Sequence, residues 1–123
     1  MIDQIAALTC LAQVAFMEAR GEPVAGQTAV MMVLYRRAEF KPERICLELA
    51  RPYQFSWYGH IKPPERGATE LRPFLNLAHQ VLNLKVTDTS KGAYNFHEIS
   101  LKPKPIWAKQ KPVKVVINNH IFY

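Results

Sequence analysis

The run "AVMMVLY", Ala29 to Tyr35, restricts this chain more than any other segment. On a helix, an unbroken apolar stretch faces every direction, so no side is left for water. It is too short to cross a bilayer. The sequence therefore predicts a helix buried through its middle and wrapped by other elements. Pro23 suits the first turn of that helix, and Pro42, after "RRAEF", prevents its continuation.

The wrapping elements can be read on either side. Ile5, Leu8, Leu11, Ala12, Ala15 and Ala19 have helix spacing, which predicts a first helix over residues 3–20, with Asp3 as its N-cap and Gly21 as its stop. Residues 43–50 read as a short helix. Leu71, Phe74, Leu75, Ala78, Val81 and Leu82 mark a further amphipathic helix with Pro73 in its first turn. "RPYQFSWYGHIKPPERG" is aromatic and punctuated by Pro and Gly, which predicts an ordered loop. "TDTSKG" is turn chemistry. "AYNFH" and "VKVVI" are strand-like, and "LKPKPIWAKQKP" between them is too Pro-rich for regular structure. The expected fold class is α+β, mostly α, with a small β element near the C-terminus. With 123 residues, 49% of them hydrophobic, and no linker or repeat, one domain over 1–123 is expected.

The formal charge of +6 favours a polyanionic partner such as nucleic acid, an anionic membrane surface or a bacterial wall. Lys102, Lys104, Lys109, Lys111 and Lys114 form a late cluster suited to nonspecific contact with anionic envelope polymers. Cys10 and Cys46 are too few for a disulfide framework, and each reads as a small buried hydrophobe. His60, His79, His97 and His120 have no metal-ligand spacing, so neither metal nor cofactor is expected. The N-terminus carries Asp3 and no basic region, so it does not read as a secretory signal, and synthesis in a cytosol is expected.

Two acids bracket the break between the first two helices. Glu18 follows Leu11 by seven and Ala15 by three, which puts it on the core-facing stripe. Desolvation there, and the negative end of the helix dipole, should raise its pKa; Arg20 would oppose this if it turned toward Glu18. Glu22, beside Pro23 at a helix start, should have its pKa depressed. Such a pair of environments separates a proton donor from an anion. A solvated helix-end residue for Glu18, and plain helix-start preference for Glu22, are the structural alternatives.

"LAQVAFMEARGEPVAGQTAVMMVLYRR" resembles the opening of the bacterial cell wall hydrolase family that includes the spore-cortex-lytic enzymes. Glu18, Ala19, Arg20, Gly21, Glu22 and Pro23 match its E-A-R-G-E-P motif, and Gly26, Gln27, Ala29 and Val30 its G-Q-x-A-V. Gln54, Phe55, Ser56 and Trp57 match Q-F-S-W. "DTSKGAYNFH" is similar to D-P-T-x-G-A-x-x-aromatic-His, with Thr89 in place of Pro. "INNHIFY" is similar to the I-G-N-H-x-F-Y ending, with Asn118 in place of Gly; both residue types tolerate a left-handed turn. After His97 the family's Asn-Pro is replaced by Glu98 and Ile99.

The resemblance implies a lysozyme-like, lytic transglycosylase-like fold and cleavage of peptidoglycan glycan strands between N-acetylmuramic acid and N-acetylglucosamine. It implies Glu18 as the catalytic acid, in a one-carboxylate route that leaves 1,6-anhydro-muramic ends. A muramidase-type hydrolase would need a second carboxylate, for which Glu22, Asp88 and Glu98 are candidates. Glu22, Gln54, Ser56, Trp57, Tyr94, Phe96, His97 and His120 are the candidate substrate contacts, since a saccharide groove wants aromatics interleaved with amides and hydroxyls. Phe96 and His97, on a strand, should point to opposite faces. A monomer acting on the wall, in the manner of a phage endolysin, is expected, with no nucleic-acid partner. Non-catalytic wall or nucleic-acid binding, and an amidase acting on stem peptides, are the competing readings.

Overall fold

The structure is a computed structural model that describes residues 4–123. The Asp3 cap lies outside the described residues. Helix α1 (Gln4–Ala19) is followed, after a short turn, by α2 (Val24–Arg37), then α3 (Pro42–Leu49) and α4 (Arg72–Leu82). Strands β1 (Phe96–Glu98), β2 (Val115–Ile117) and β3 (His120–Phe122) form an antiparallel sheet with β3 in the centre. The architecture is α+β and mostly helical.

The apolar run behaves as its composition requires: every residue from Thr28 to Tyr35 is buried. Helix α1 packs against α2, α3 and α4. Its alanines 7, 12, 15 and 19 are all buried, and small side chains let neighbouring helices approach closely. Pro23 sits one position earlier than expected, in extended conformation as the cap residue before α2. Pro73 does lie in the first turn of α4. The buried Tyr35 hydroxyl donates to the Leu82 carbonyl at 3.1 Å and ties α2 to the end of α4.

The long aromatic loop is ordered by burial of Phe55 and Trp57 and by Gln13 of α1, whose Nε2 donates to the Pro64 carbonyl at 3.0 Å. The turn after α4 is fastened to α2 through Asp88. Its carboxylate pairs with Arg36 and accepts from Ser90 N, Ser90 Oγ and Gly92 N. Burial opposes ionisation of Asp88, but those bonds and the Arg36 charge outweigh it and hold its pKa low. Thr89, where the family has Pro, donates from Oγ1 to the Ala25 carbonyl at 2.6 Å.

Three sequence expectations need correction here. The strand at His120–Phe122 was not anticipated, although it is the centre of the sheet; three residues are too few to show a period. The Pro-rich segment holds one short 3-10 helix, Ile106–Lys109, capped by Pro105. Most consequentially, Cys10 and Cys46 are not independent buried hydrophobes. They form a disulfide that joins α1 to α3, with Cα atoms 5.6 Å apart, and both residues are half-buried. Counting cysteines cannot show that two helices will bring their turns together.

The bridge spans a sequence separation of 36, and closing such a loop in the unfolded chain is worth about 4 kcal/mol at most in the chain-entropy picture. The Cys10→Ser/Cys46→Ser variant is therefore expected to unfold at a lower denaturant midpoint, by the equivalent of about 2–4 kcal/mol. Reductant should shift the unsubstituted protein the same way and leave the double variant unmoved.

Candidate active site

A groove of about 690 Å³ opens at the carboxyl end of α1. Glu18 contributes to its lining, one residue before the helix ends. The loop at Tyr53, Gln54, Phe55 and Ser56 forms one wall; Asn95 to Glu98 form another. Leu101, Pro105 and Trp107 complete it, and Arg37 reaches it from the end of α2.

The Glu18 carboxyl is held rather than free. Trp57 Nε1 donates to its Oε2 at 2.8 Å. Burial raises the Glu18 pKa, the Trp57 hydrogen bond and a charge on His120 lower it, and the nearby Glu98 carboxylate raises it again; the net shift is upward. Arg20 does not oppose this through a direct pair. It is exposed, with its guanidinium 4.8 Å from the centre of the Phe16 ring. An indole N–H can donate but not accept. It therefore holds Oε2 as an acceptor.

Glu22 has a different setting. Its side chain is 7% exposed. It accepts from Asn118 Nδ2 at 3.0 Å, Asn119 N at 3.1 Å and Asn119 Nδ2 at 3.2 Å, and lies 3.3 Å from His120 Nδ1. Burial works against its ionisation, but these donors and the His120 charge prevail and depress its pKa. The expected direction is found, but the cause is the β2–β3 turn rather than a helix dipole. Asn118 occupies the left-handed region there, at φ 49°. Gly26 packs closely at the same junction, where a Cβ on it would sit 3.2 Å from Glu22 Cβ. Glu22 is thus the clasp between the α1–α2 turn and the sheet, and it does not line the groove.

The remaining predicted residues divide. Gln54, Ser56, Phe96 and His97 line the groove with Glu18. Phe96 and His97 both line it, although alternation along β1 led to the expectation of opposite faces. His97 is 5% exposed. Its Nδ1 donates to the Glu98 carbonyl at 2.7 Å, so in the neutral ring Nε2 accepts from the Tyr123 hydroxyl at 2.8 Å. Trp57 is buried and acts on the groove through Glu18. His120, 2% exposed, lies behind the wall with its ring centre 5.5 Å from that of Phe96, and its buried Nε2 has no partner. Tyr94 is exposed and lines a second cavity instead. Asp88 is committed to Arg36 and lies outside the groove, whereas Glu98 lines it.

Sequence reasoning missed Trp107 and Arg37. Trp107 packs edge-on against Tyr123 at 5.2 Å and offers an indole to the groove. The only signal for it was a lone tryptophan among prolines and lysines. Among the described residues, no three His, Cys, Asp or Glu side chains gather as a metal ion would require.

A family model described as Cell Wall Hydrolase matches residues 21–123. The chain belongs to the cell wall hydrolase family. No curated protein and no solved structure matches it. Membership in the cell wall hydrolases makes this a peptidoglycan-degrading enzyme that acts on the bacterial wall. The match begins at Gly21, so Glu18 lies just ahead of it, and its importance rests on the groove geometry and the sequence motif.

Two stability predictions follow from the two acids. Between about 4.5, the pKa of a free glutamate, and its raised folded value, Glu18 holds a proton that the unfolded chain has released. Stability therefore falls as pH rises through that window. Glu18→Gln is expected to match the parent Tm at pH 4 and exceed it at pH 8 in paired thermal melts. Glu22 has the opposite sign: its contribution is present above about 4.5 and is lost as pH falls through its lowered value. Glu22→Ala should cost about 2 kcal/mol at pH 7, from stranded donors in the turn, and less at pH 3, measured by denaturant unfolding.

Proposed function

We propose that this cell wall hydrolase cleaves the glycan strand between N-acetylmuramic acid and N-acetylglucosamine, with Glu18 as the catalytic acid and base. The observation that carries this reading is a half-buried carboxyl of raised pKa, pinned by Trp57 and opening on a groove of saccharide size. An acid whose pKa is raised suits proton delivery to a glycosidic oxygen. A glutamate at a helix end beside a groove is also the arrangement that the resemblance to lysozyme-like enzymes implies.

In the first half of the reaction, Glu18 gives its proton to the bridging oxygen. The bond from muramic C1 to that oxygen breaks, and positive charge develops on the ring. In the second half, the Glu18 carboxylate takes the proton from the muramic C6 hydroxyl, and O6 bonds to C1. The product is a 1,6-anhydro ring, the acid is restored, and no water is consumed. Trp107 and Tyr53 supply faces for the sugars' apolar sides, while Gln54, Ser56 and Asn95 supply amide and hydroxyl groups.

Glu98 supports a second reading. It lines the same groove, and a hydrolase of the muramidase type would use it as the second carboxylate. The products separate the two. Purified peptidoglycan is incubated with the protein and the released muropeptides are weighed by mass spectrometry. Anhydro-muramic ends, lost about 10²–10⁴-fold in rate in Glu18→Gln and retained in Glu98→Gln, are expected. Reducing muramic ends that vanish in Glu98→Gln would establish the two-carboxylate route. Free stem peptides released equally by Glu18→Gln would overturn both in favour of an amidase.

A further inference from the structure

Arg37 is the one side chain shared by the groove and the second cavity, a space of about 570 Å³. It ends α2 and is half-buried. The cations around it are already matched: Arg36 pairs with Asp88, and Arg51 Nε lies 3.1 Å from Glu48 Oε2. Glu39, on the rim, faces Lys41 at 3.7 Å and Arg44 at 3.2 Å. Among the described residues, no ion pair involves Arg37. Its one side-chain partner is the Gln54 carbonyl, to which Nη2 donates. Burial draws its pKa down, Glu48 opposes this and Arg51 adds to it, yet a guanidinium stays protonated in proteins. Glu48, the carboxylate that acts on it, is already paired with Arg51, and the partly desolvated guanidinium has five N–H donors to satisfy.

We propose that Arg37 is an anion-binding subsite that holds a carboxylate of the stem peptide carried by the muramic residue seated in the groove. The proposal rests on the glycan-cleaving reading above. The peptide branches from the strand, and this residue borders both the groove and the second cavity. A planar carboxylate matches the planar guanidinium fork better than it matches an ammonium. The exposed rings of Phe40 and Tyr94 line the same cavity and give the peptide's apolar groups a surface. The enzyme then reads the strand and its substituent together, and favours peptide-bearing glycan over bare glycan.

The test uses the full chain carrying Glu18→Gln, so that binding is measured without turnover. Calorimetric titrations compare a muramic-containing disaccharide-peptide with free carboxylates, the same compound with its carboxylates amidated, and a peptide-free glycan oligosaccharide. Adding Arg37→Met is expected to weaken the first about tenfold, as loss of a charged hydrogen bond would, and to leave the other two unchanged. Arg37→Lys should recover part of the loss. Amidation alone should reproduce the weakening in the chain that keeps Arg37, an arm that holds even if Arg37→Met folds poorly. Equal weakening for all three ligands, or no response to amidation, would overturn the subsite while leaving glycan binding in place. Inorganic phosphate competing as well as the free carboxylates would overturn it in favour of a phosphate-bearing wall polymer. Failure of all three saccharides to bind would remove the glycan-cleaving reading itself, and the subsite with it.

Discussion

The hydrogen bond from the Trp57 indole to the Glu18 carboxyl joins two parts of the chain that lie far apart in sequence. One is the carboxyl end of α1, positioned by packing against three helices. The other is an irregular loop whose order depends on burying Phe55 and Trp57. Bond and burial support each other. Burial shields the acid from water and raises its pKa, the indole bond offsets part of that rise, and the acid satisfies an indole N–H that would otherwise be buried without an acceptor. A buried polar pair of this kind is stable only because the surrounding helices leave it little freedom.

The two glutamates show how distance along the chain misleads about function. Glu18 and Glu22 are four residues apart. One is pushed toward the neutral form by burial, and the other toward the anion by the donors of the β2–β3 turn. His120 acts between them. Its Nδ1 faces Glu22, its charge acts on Glu18, and its Nε2 is left without a partner behind the groove wall. The sheet is small, but it brings this histidine, the clasp on Glu22 and the His97–Tyr123 pair to the side of the groove.

The helices were legible because helix periodicity and Pro placement act locally. "AVMMVLY" announced a central helix, Pro42, read as its stop, lies beyond its end and opens α3, and Pro73 lies in the first turn of α4 as expected. The groove was legible in part. Glu18, Gln54, Ser56, Phe96 and His97 are among its lining residues, but Tyr94 lies in the neighbouring cavity and Glu22 and His120 lie in the clasp. Those placements depend on how a three-residue strand docks against a helix turn from nearly a hundred residues away, which no local pattern encodes. The disulfide was invisible for a related reason: a pairing between two distant turns is a property of helix packing.

The same disulfide bears on how the enzyme endures its surroundings. It ties α1, which carries the acid, to α3, so the acid-bearing helix cannot peel away alone while the rest stays folded. Cross-linking this helix makes the segment that carries Glu18 harder to expose. Such a bond persists mainly where the surroundings are oxidising, so reducing conditions would loosen the hold on that helix.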